Sequence, residues 1–326
     1  MQKKCDIVAI GGATEDQFFS VDDYVMINNG SDLLRKKVLG FEYGAKIGIL
    51  ELDTAFGGGA ANVSVAAARL GLKTAIVASL GADARGNAIA RNLKANGVDI
   101  RALEALPKQQ SGLSYILMSP RHDHIVFTYR GANDGLRLSP AALKLMKDAR
   151  YTYLTSLSGN WEKIAKAVFA ASDRVVWNPG RQQLAAGYRK LKPFLVRTDI
   201  LICNRDEALE LALSYEKISA KQDDPRYLLG VLKSFGPRIV IITNGGHGAD
   251  AFDGHAHYYQ KATSVRRVID TTGVGDAFGA SFVAGLELYG GDMKKSLALA
   301  AKNAAAVVAT QGAQSGLMRL KKSSRS

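Results

Sequence analysis

The chain has 326 residues, 47% of them hydrophobic and 22% charged, which is ordinary for a globular protein able to bury a large core in one α/β domain or two. No apolar run approaches the length of a membrane span, which argues against a membrane protein. The net charge of +13 is spread along the chain, and aromatic residues (8%) do not alternate with basic ones, so it points to solubility and attraction of anionic ligands rather than to nucleic acid.

In chain order, Met1 to Lys4 run at once into a strand, residues 5–10, whose apolar stretch is too short for a signal-peptide core; a cytoplasmic location is expected. Cys5 and Cys203 lie in apolar, strand-like contexts and read as buried free thiols. Gly11-Gly12 and Asp16 follow in a βα-type opening without the Gly-x-Gly-x-x-Gly spacing of dinucleotide binders. Residues 18–54 break into short β-prone pieces around Asn28-Asn29-Gly30 and Gly40, which predicts a few antiparallel strands outside the main sheet. The run Gly57-Gly58-Gly59 then feeds an Ala-rich helix ending at Gly71, its small residues allowing close approach of backbone or ligand.

Ala75–Leu80 predicts a strand, followed by a turn at 81–86 into a helix ending near Gly97. Ser111–Ser119 and His124–Tyr129 alternate and should pair as a second patch of the outlying sheet. His122 and His124, with no third ligand nearby, read as a solvated strand end rather than a metal site. Short apolar strands at 151–155, 174–177, 200–203 and 239–243 alternate with helical stretches, the rhythm of a parallel sheet covered by helices. Polar punctuation falls at three successive carboxyl ends: Asn178-Pro179-Gly180, Asn204 to Glu207, and Thr243 to Gly248. Ligands in such sheets collect there.

The string Ile269-Asp270-Thr271-Thr272-Gly273-Val274-Gly275-Asp276 carries the densest chemistry. Gly273 and Gly275 leave backbone N–H groups free to surround an anion, and Phe278, Phe282 and Leu286 mark a helix whose positive end faces the same point. Asp276 stands at that mouth, where its carboxylate could take a proton from a hydroxyl attacking a phosphate. An Ala-rich helix over 296–308, the segment Gln311-Gly312-Ala313-Gln314, and a basic tail (317–326) close the chain. There is no internal repeat and no Walker Gly-Lys-Ser/Thr.

Asp-Thr-Thr-Gly-Val-Gly-Asp-Ala (270–277) resembles the C-terminal signature of the ribokinase-like, phosphofructokinase-B type carbohydrate kinases. Gly57-Gly58 with Asn62 resembles that family's N-terminal Gly-Gly-x-x-x-Asn. Gly59 departs from ribokinases proper, which usually carry Lys there, and this counts against ribose as the substrate. Over residues 1–316 the resemblance implies an α/β ribokinase-like fold, a central mostly parallel sheet between helices, with a small β lid from about 18–54 and 111–130. It implies transfer of the γ-phosphoryl group of ATP to a hydroxyl, with Asp276 as base and the N–H groups of Gly273, Val274 and Gly275 as anion hole. Asp16, Gly58 and Asn62 would hold the acceptor. Asn178 and Asn204 would face the nucleotide phosphates, with Thr243, Gly245 and Gly248 along the phosphate and adenosine side and Asn303 near the base. Glu207 would hold Mg2+ through water, and Asp270 and Thr272 with Gly312 would form a site for K+. The lid contributions Tyr115, Thr128 and Arg130 are more polar than apolar, favouring a monosaccharide, or a sugar acid paired to Arg130. A nucleoside kinase of the same family and a non-catalytic binding protein on this fold remain the alternatives. The lid strands, with one apolar face, should close on substrate or form a homodimer interface.

Overall fold

The computed structural model describes residues 4–28, 37–118, 124–217 and 224–320. Nearly continuous apolar runs form the sheet, because strands covered on both faces have no polar side to present. These are β1 (Cys5–Ile10), β6 (Thr74–Gly81), β7 (Asp99–Leu106), β10 (Ala149–Leu154), β11 (Val175–Trp177), β12 (Ile200–Asn204) and β13 (Ile239–Thr243), all paired in parallel. An antiparallel hairpin, β14 (Ala249–Phe252) and β15 (His257–Gln260), completes the order β15-β14-β13-β12-β11-β10-β1-β6-β7. Sequence reasoning placed most of the parallel strands to within two residues but did not mark β7, β14 or β15. Their mixed sequences, such as His257-Tyr258-Tyr259-Gln260 with alternate residues exposed, are those of partly solvated edge strands.

Alternation along the strands splits the core in two. Ile7, Ala9, Tyr153 and Ile202 face α1 (Gly59–Arg69), α9 (Val274–Leu288) and α10 (Met293–Val308). Val8, Ile10, Leu154, Trp177 and Cys203 face the opposite helices, among them α3 (Pro140–Asp148), α4 (Trp161–Ala171) and α7 (Arg205–Leu213). Trp177 is fully buried, with Phe169 and Phe194 edge-on at 5.7 and 6.0 Å. Both cysteines are buried and unbridged, as expected, and burial pushes the Cys5 thiol up to about 12. Among the described residues no helix is long and apolar enough to cross a membrane.

The lid is one four-stranded sheet, ordered β5 (Glu51–Gly57), β2 (Thr14–Ser20), β8 (Gly112–Met118), β9 (His124–Tyr129). It is mixed rather than antiparallel throughout, since β2 and β8 run parallel, and the two expected patches are joined through β2. Asp16 therefore lies on a lid strand and not in a βα loop. A separate hairpin joins β3 (Val25–Asn28) to β4 (Lys37–Gly40). The expected turn at Asn29-Gly30, His122 and the last residues of the basic tail, 321–326, lie outside the described residues.

Period-two alternation decides which lid residues meet the cleft. Ser114, Ile116, Val126 and Thr128 line it, and the register pairs Ser114 with Thr128 and Ile116 with Val126. Tyr115 pairs with Phe127 on the other face, where Ile125 and Tyr129 are also exposed. Tyr115 is thus no acceptor contact, contrary to the expectation from sequence.

Candidate active site

Strand β1 lies between β10 and β6, so the chain order reverses around it, and a cleft opens at such switch points. The cleft measures about 330 Å³ and lies between the lid's inner face and the first turns of α1 and α9. Asp16, Gly58, Asn62, Arg130, Thr272, Gly273 and Asp276, seven of the residues singled out in the sequence, all line it.

Asp276 is the third residue of α9, whose first N–H groups have no partner within the helix; that of Val274 reaches Thr271 only at 3.4 Å. Gly273 caps the helix in a left-handed conformation (φ 71°), and a Cβ there would lie 2.3 Å from the Cβ of Ala313. Gly275 is different. Its backbone is helical, and a Cβ would meet nothing within 4 Å. The expected anion hole thus combines a glycine that the chain path requires with one that borders open space.

The Asp276 carboxylate is half-buried and accepts a hydrogen bond from Asn62 Nδ2 at 2.9 Å. Crowding by protein pushes its pKa up to about 6, the Asn62 bond opposes this, and the charge of Glu207 adds to it. A carboxylate tuned to that value is ionised at neutral pH yet basic enough to take a proton. Asp16 is buried and accepts from the Thr14 hydroxyl at 3.0 Å; burial raises its pKa against the bonds from Ser114 and Thr14.

The glycine run is shaped by close approaches. A Cβ at Gly57 would sit 2.0 Å from Asp16 Oδ2, so that bare residue makes room for the carboxylate. Gly58 has φ 89° and would press a Cβ to 2.6 Å from backbone at Gly12 and Ala13. At Gly59 a Cβ would come 2.9 Å from Thr155, which explains why no longer residue stands there. Gly58→Ala is expected to lower the unfolding free energy by about 2 kcal/mol or more, from the strained φ and the clash together. Denaturant unfolding checks this, and a loss within error of zero would show that the β1–α1 junction gives way freely.

Along the sheet, the carboxyl ends of β11, β12 and β13 bring Asn178, Asn204, Glu207 and Thr243 to the same rim. Asn204 and Glu207 cap α7 reciprocally, each side chain bonding the other's backbone N–H at 2.8 Å. Asn178 Nδ2 donates to the Ile202 carbonyl at 2.9 Å, tying β11 to β12. Gly248 (φ 102°) passes so close to β15 that a Cβ would lie 2.1 Å from the Gln260 carbonyl, whereas Gly245 (φ 51°) borders open space. Asn303 departs from its expected place beside a base. It is wholly buried, donating to Ser281 Oγ at 2.7 Å and accepting from Met318 N at 2.8 Å, so it braces α10 against α9 and the terminal segment.

Asp270, Thr272 and Gly312 do meet. Asp270 Oδ1 accepts from the N–H and hydroxyl of Thr272 (2.8 and 2.7 Å), and Oδ2 accepts from Gly312 N at 2.9 Å. Oδ1 takes two protein donors and Oδ2 one, so the trio forms a clasp between the loop before α9 and the segment after α10. Among the described residues no three His, Cys, Asp or Glu side chains are grouped to hold a metal. Sequence reasoning missed Asn133, which fixes Ala13 through both its N–H and carbonyl (3.1 and 3.2 Å), and Ser156 and Ser158 in the cleft wall. It also missed Gln314, whose Nε2 donates to Asn62 Oδ1 at 3.1 Å from 252 positions away, beyond any local signal.

The chain resembles known proteins in sequence and in fold. The chain is 29% identical over 261 residues to an ATP-dependent ribose-1-phosphate kinase of Halopiger xanaduensis, covering 79% of this chain and 82% of that one. The fold is similar to that of Arabidopsis thaliana ribokinase complexed with ribose and ATP (TM-score 0.79, 22% identity, 98% of this chain and 96% of that one). It is also similar to Burkholderia thailandensis nucleoside kinase in complex with inosine (TM-score 0.74, 20% identity, 95% and 94%). The family model described as pfkB family carbohydrate kinase matches residues 37–319, most of the chain, and this chain belongs to that family.

Proposed function

We propose that the protein transfers the γ-phosphoryl group of ATP to a hydroxyl of a monosaccharide or sugar acid. The observation that carries this reading is the placement of Asp276 in the wall of a polar cleft and, in the same helical turn, beside N–H groups that have no partner within the helix. Asp276 accepts the proton of the acceptor hydroxyl, whose oxygen attacks the γ-phosphorus as the bond to the ADP oxygen breaks. The N–H groups at 273–275 hold the equatorial oxygens, and Asp16 orients the acceptor through its hydroxyls. Mg2+ bound with the nucleotide would supply charge neutralisation, with Glu207 on its water shell.

The cleft wall favours a sugar. Thr14, Ser114, Thr128, Asn133, Ser156 and Ser158 bring polar groups to it, and no aromatic ring among its lining residues offers a base a stacking face. Arg130 is its one lining cation, exposed at the rim, which suits an acceptor bearing a carboxylate or phosphate. Similarity to a ribose-1-phosphate kinase agrees with such an anionic sugar. The nucleoside reading draws on the aliphatic patch Ile116, Val126, Leu136 and Leu157 and on the likeness to nucleoside kinases.

A panel of sugars, sugar acids, sugar phosphates and nucleosides, followed by ATP consumption, tests both. One anionic sugar should exceed every nucleoside in kcat/KM; the reverse order would establish the nucleoside alternative. Arg130→Gln should raise KM for that anionic acceptor about tenfold and leave its neutral parent unchanged. No acceptor-dependent ATP consumption at all would leave a non-catalytic binding protein.

The lid's outer face, with Leu52, Tyr115, Ile125, Phe127 and Tyr129 exposed, supports a homodimer through the lid. Phe127→Lys should then convert the dimer to a monomer in sedimentation, and a wild-type monomer would refute the assignment.

A further inference from the structure

Five polar side chains link the surface to Asp276. Arg69 Nε donates to Asn96 Oδ1 at 2.9 Å, and Asn96 Nδ2 donates to Asn92 Oδ1 at 3.2 Å. Asn92 Nδ2 donates to Gln314 Oε1 at 2.9 Å, and Gln314 Nε2 donates to Asn62 Oδ1 at 3.1 Å. Asn62 Nδ2 donates to Asp276 Oδ2 at 2.9 Å. Every bond points the same way. The ends dictate this, because a guanidinium has no acceptor and a carboxylate has no donor, so four amides between them can satisfy all five bonds in one orientation only. Turning any one amide over would set oxygen against oxygen and nitrogen against nitrogen.

The chain joins elements distant in sequence: α1 carries Arg69 and Asn62, α2 (Ala84–Ala95) carries Asn92 and is capped by Asn96, and Gln314 lies beyond α10. Gln314 and Asn62 are 6% and 4% exposed, so little water competes for their amides, and in such surroundings aligned hydrogen bonds polarise one another. The backbone carbonyl of Gln314 is held in turn by Arg69. Resting on the reading of Asp276 as the base, we propose that Gln314 is a positioning residue, the middle link of a one-way amide relay that keeps the Asn62 N–H turned toward Asp276 and so favours its ionised form.

Other groups around Asp276 act in the same or the opposite sense. Glu207 from α7 opposes ionisation by its charge, and the buried hydroxyl of Tyr153 on β10 is near enough for its own titration to feel Asp276. Asp16 and Arg130 face the same cleft from the lid. None of these fixes the orientation of the Asn62 amide.

The test reads Asp276 directly. In protein labelled with 13C at aspartate Cγ, the Asp276 signal is assigned by its loss in Asp276→Asn and followed through a pH titration, without substrate. Gln314→Met, similar in shape but with no donor, should raise the midpoint by about one pH unit, and Asn92→Leu, one link further out, should raise it by less. With the acceptor the panel identifies, kcat/KM of Gln314→Met should fall about fivefold at pH 6 and hardly change at pH 8.5, following the ionised fraction of the base. A purely structural clasp would lower activity equally at all pH values or lower only thermal stability. An unmoved midpoint in folded Gln314→Met overturns the proposal, and so does failure of both variants to fold, which would make the chain a strut. If the midpoint moves while no acceptor is phosphorylated by wild type, the relay stands and the kinase reading falls.

Discussion

Asp276→Asn should lower turnover by about two orders of magnitude or more and leave ATP affinity little changed, because it removes the proton acceptor and keeps the shape. The amide introduced there would still offer Asn62 an oxygen. The same substitution should make the protein more stable above pH 6. The sign follows from linkage. The folded-state pKa of Asp276 is raised from 3.8 to about 6, so the native state favours the protonated form. That favourable contribution is fully present below pH 4 and lost as pH rises through 6. At pH 7.5 the wild type therefore carries a burden of about 1–2 kcal/mol, after allowance for the side chain's opening onto the cleft, which the neutral amide lacks. Urea unfolding of both proteins at pH 4 and 7.5 measures it. Equal stability at both values, or undiminished turnover, would remove Asp276 from its role.

Gly275→Val should abolish phosphoryl transfer, by about 100-fold or more, in a protein that melts within a few degrees of wild type. The structure makes this a clean experiment. A Cβ at 275 enters open space and the backbone is already helical, so nothing in the folded chain objects to a side chain. What objects is the phosphate expected beside the helix end. Gly273→Ala serves as the contrast: with φ 71° and Ala313 at 2.3 Å, it should lose stability first. Of the two glycines, Gly273 is the one that holds an angle other residues rarely adopt. Full activity in Gly275→Val would mean that the phosphate lies elsewhere.

Local signals carried much of the fold and the centre of the site. The apolar strand runs, the Gly-rich helix starts and Asp276 behind its glycines are written in windows of ten residues or fewer, and the structure keeps them where those windows place them. Asn303 and Tyr115 were misplaced because a resemblance or a residue type says nothing of which face a side chain takes. Asn303 turned inward to Ser281, and Tyr115 turned outward because its neighbours Ser114 and Ile116 point in. The bonds of Gln314 and Asn133 left no trace, since their partners are 252 and 120 positions distant. Glu207 and Asn204 were legible as a pair, yet their spacing of three also spells a helix cap, and the structure shows that duty plainly.

The alternation along β8 and β9 has a consequence for how such a protein can diverge. Residues 114, 116, 126 and 128 meet the cleft, and their immediate neighbours 115, 125, 127 and 129 meet the outside. Two selective pressures are thus interleaved on the same two ribbons of chain, yet no residue in either set serves both. A lineage could exchange Thr128 or Ile116 and try a new acceptor without disturbing what the outer surface meets, and could redraw that surface without altering diet. A single inserted residue would do the opposite, swapping the two sets from that point onward and losing both inheritances at once.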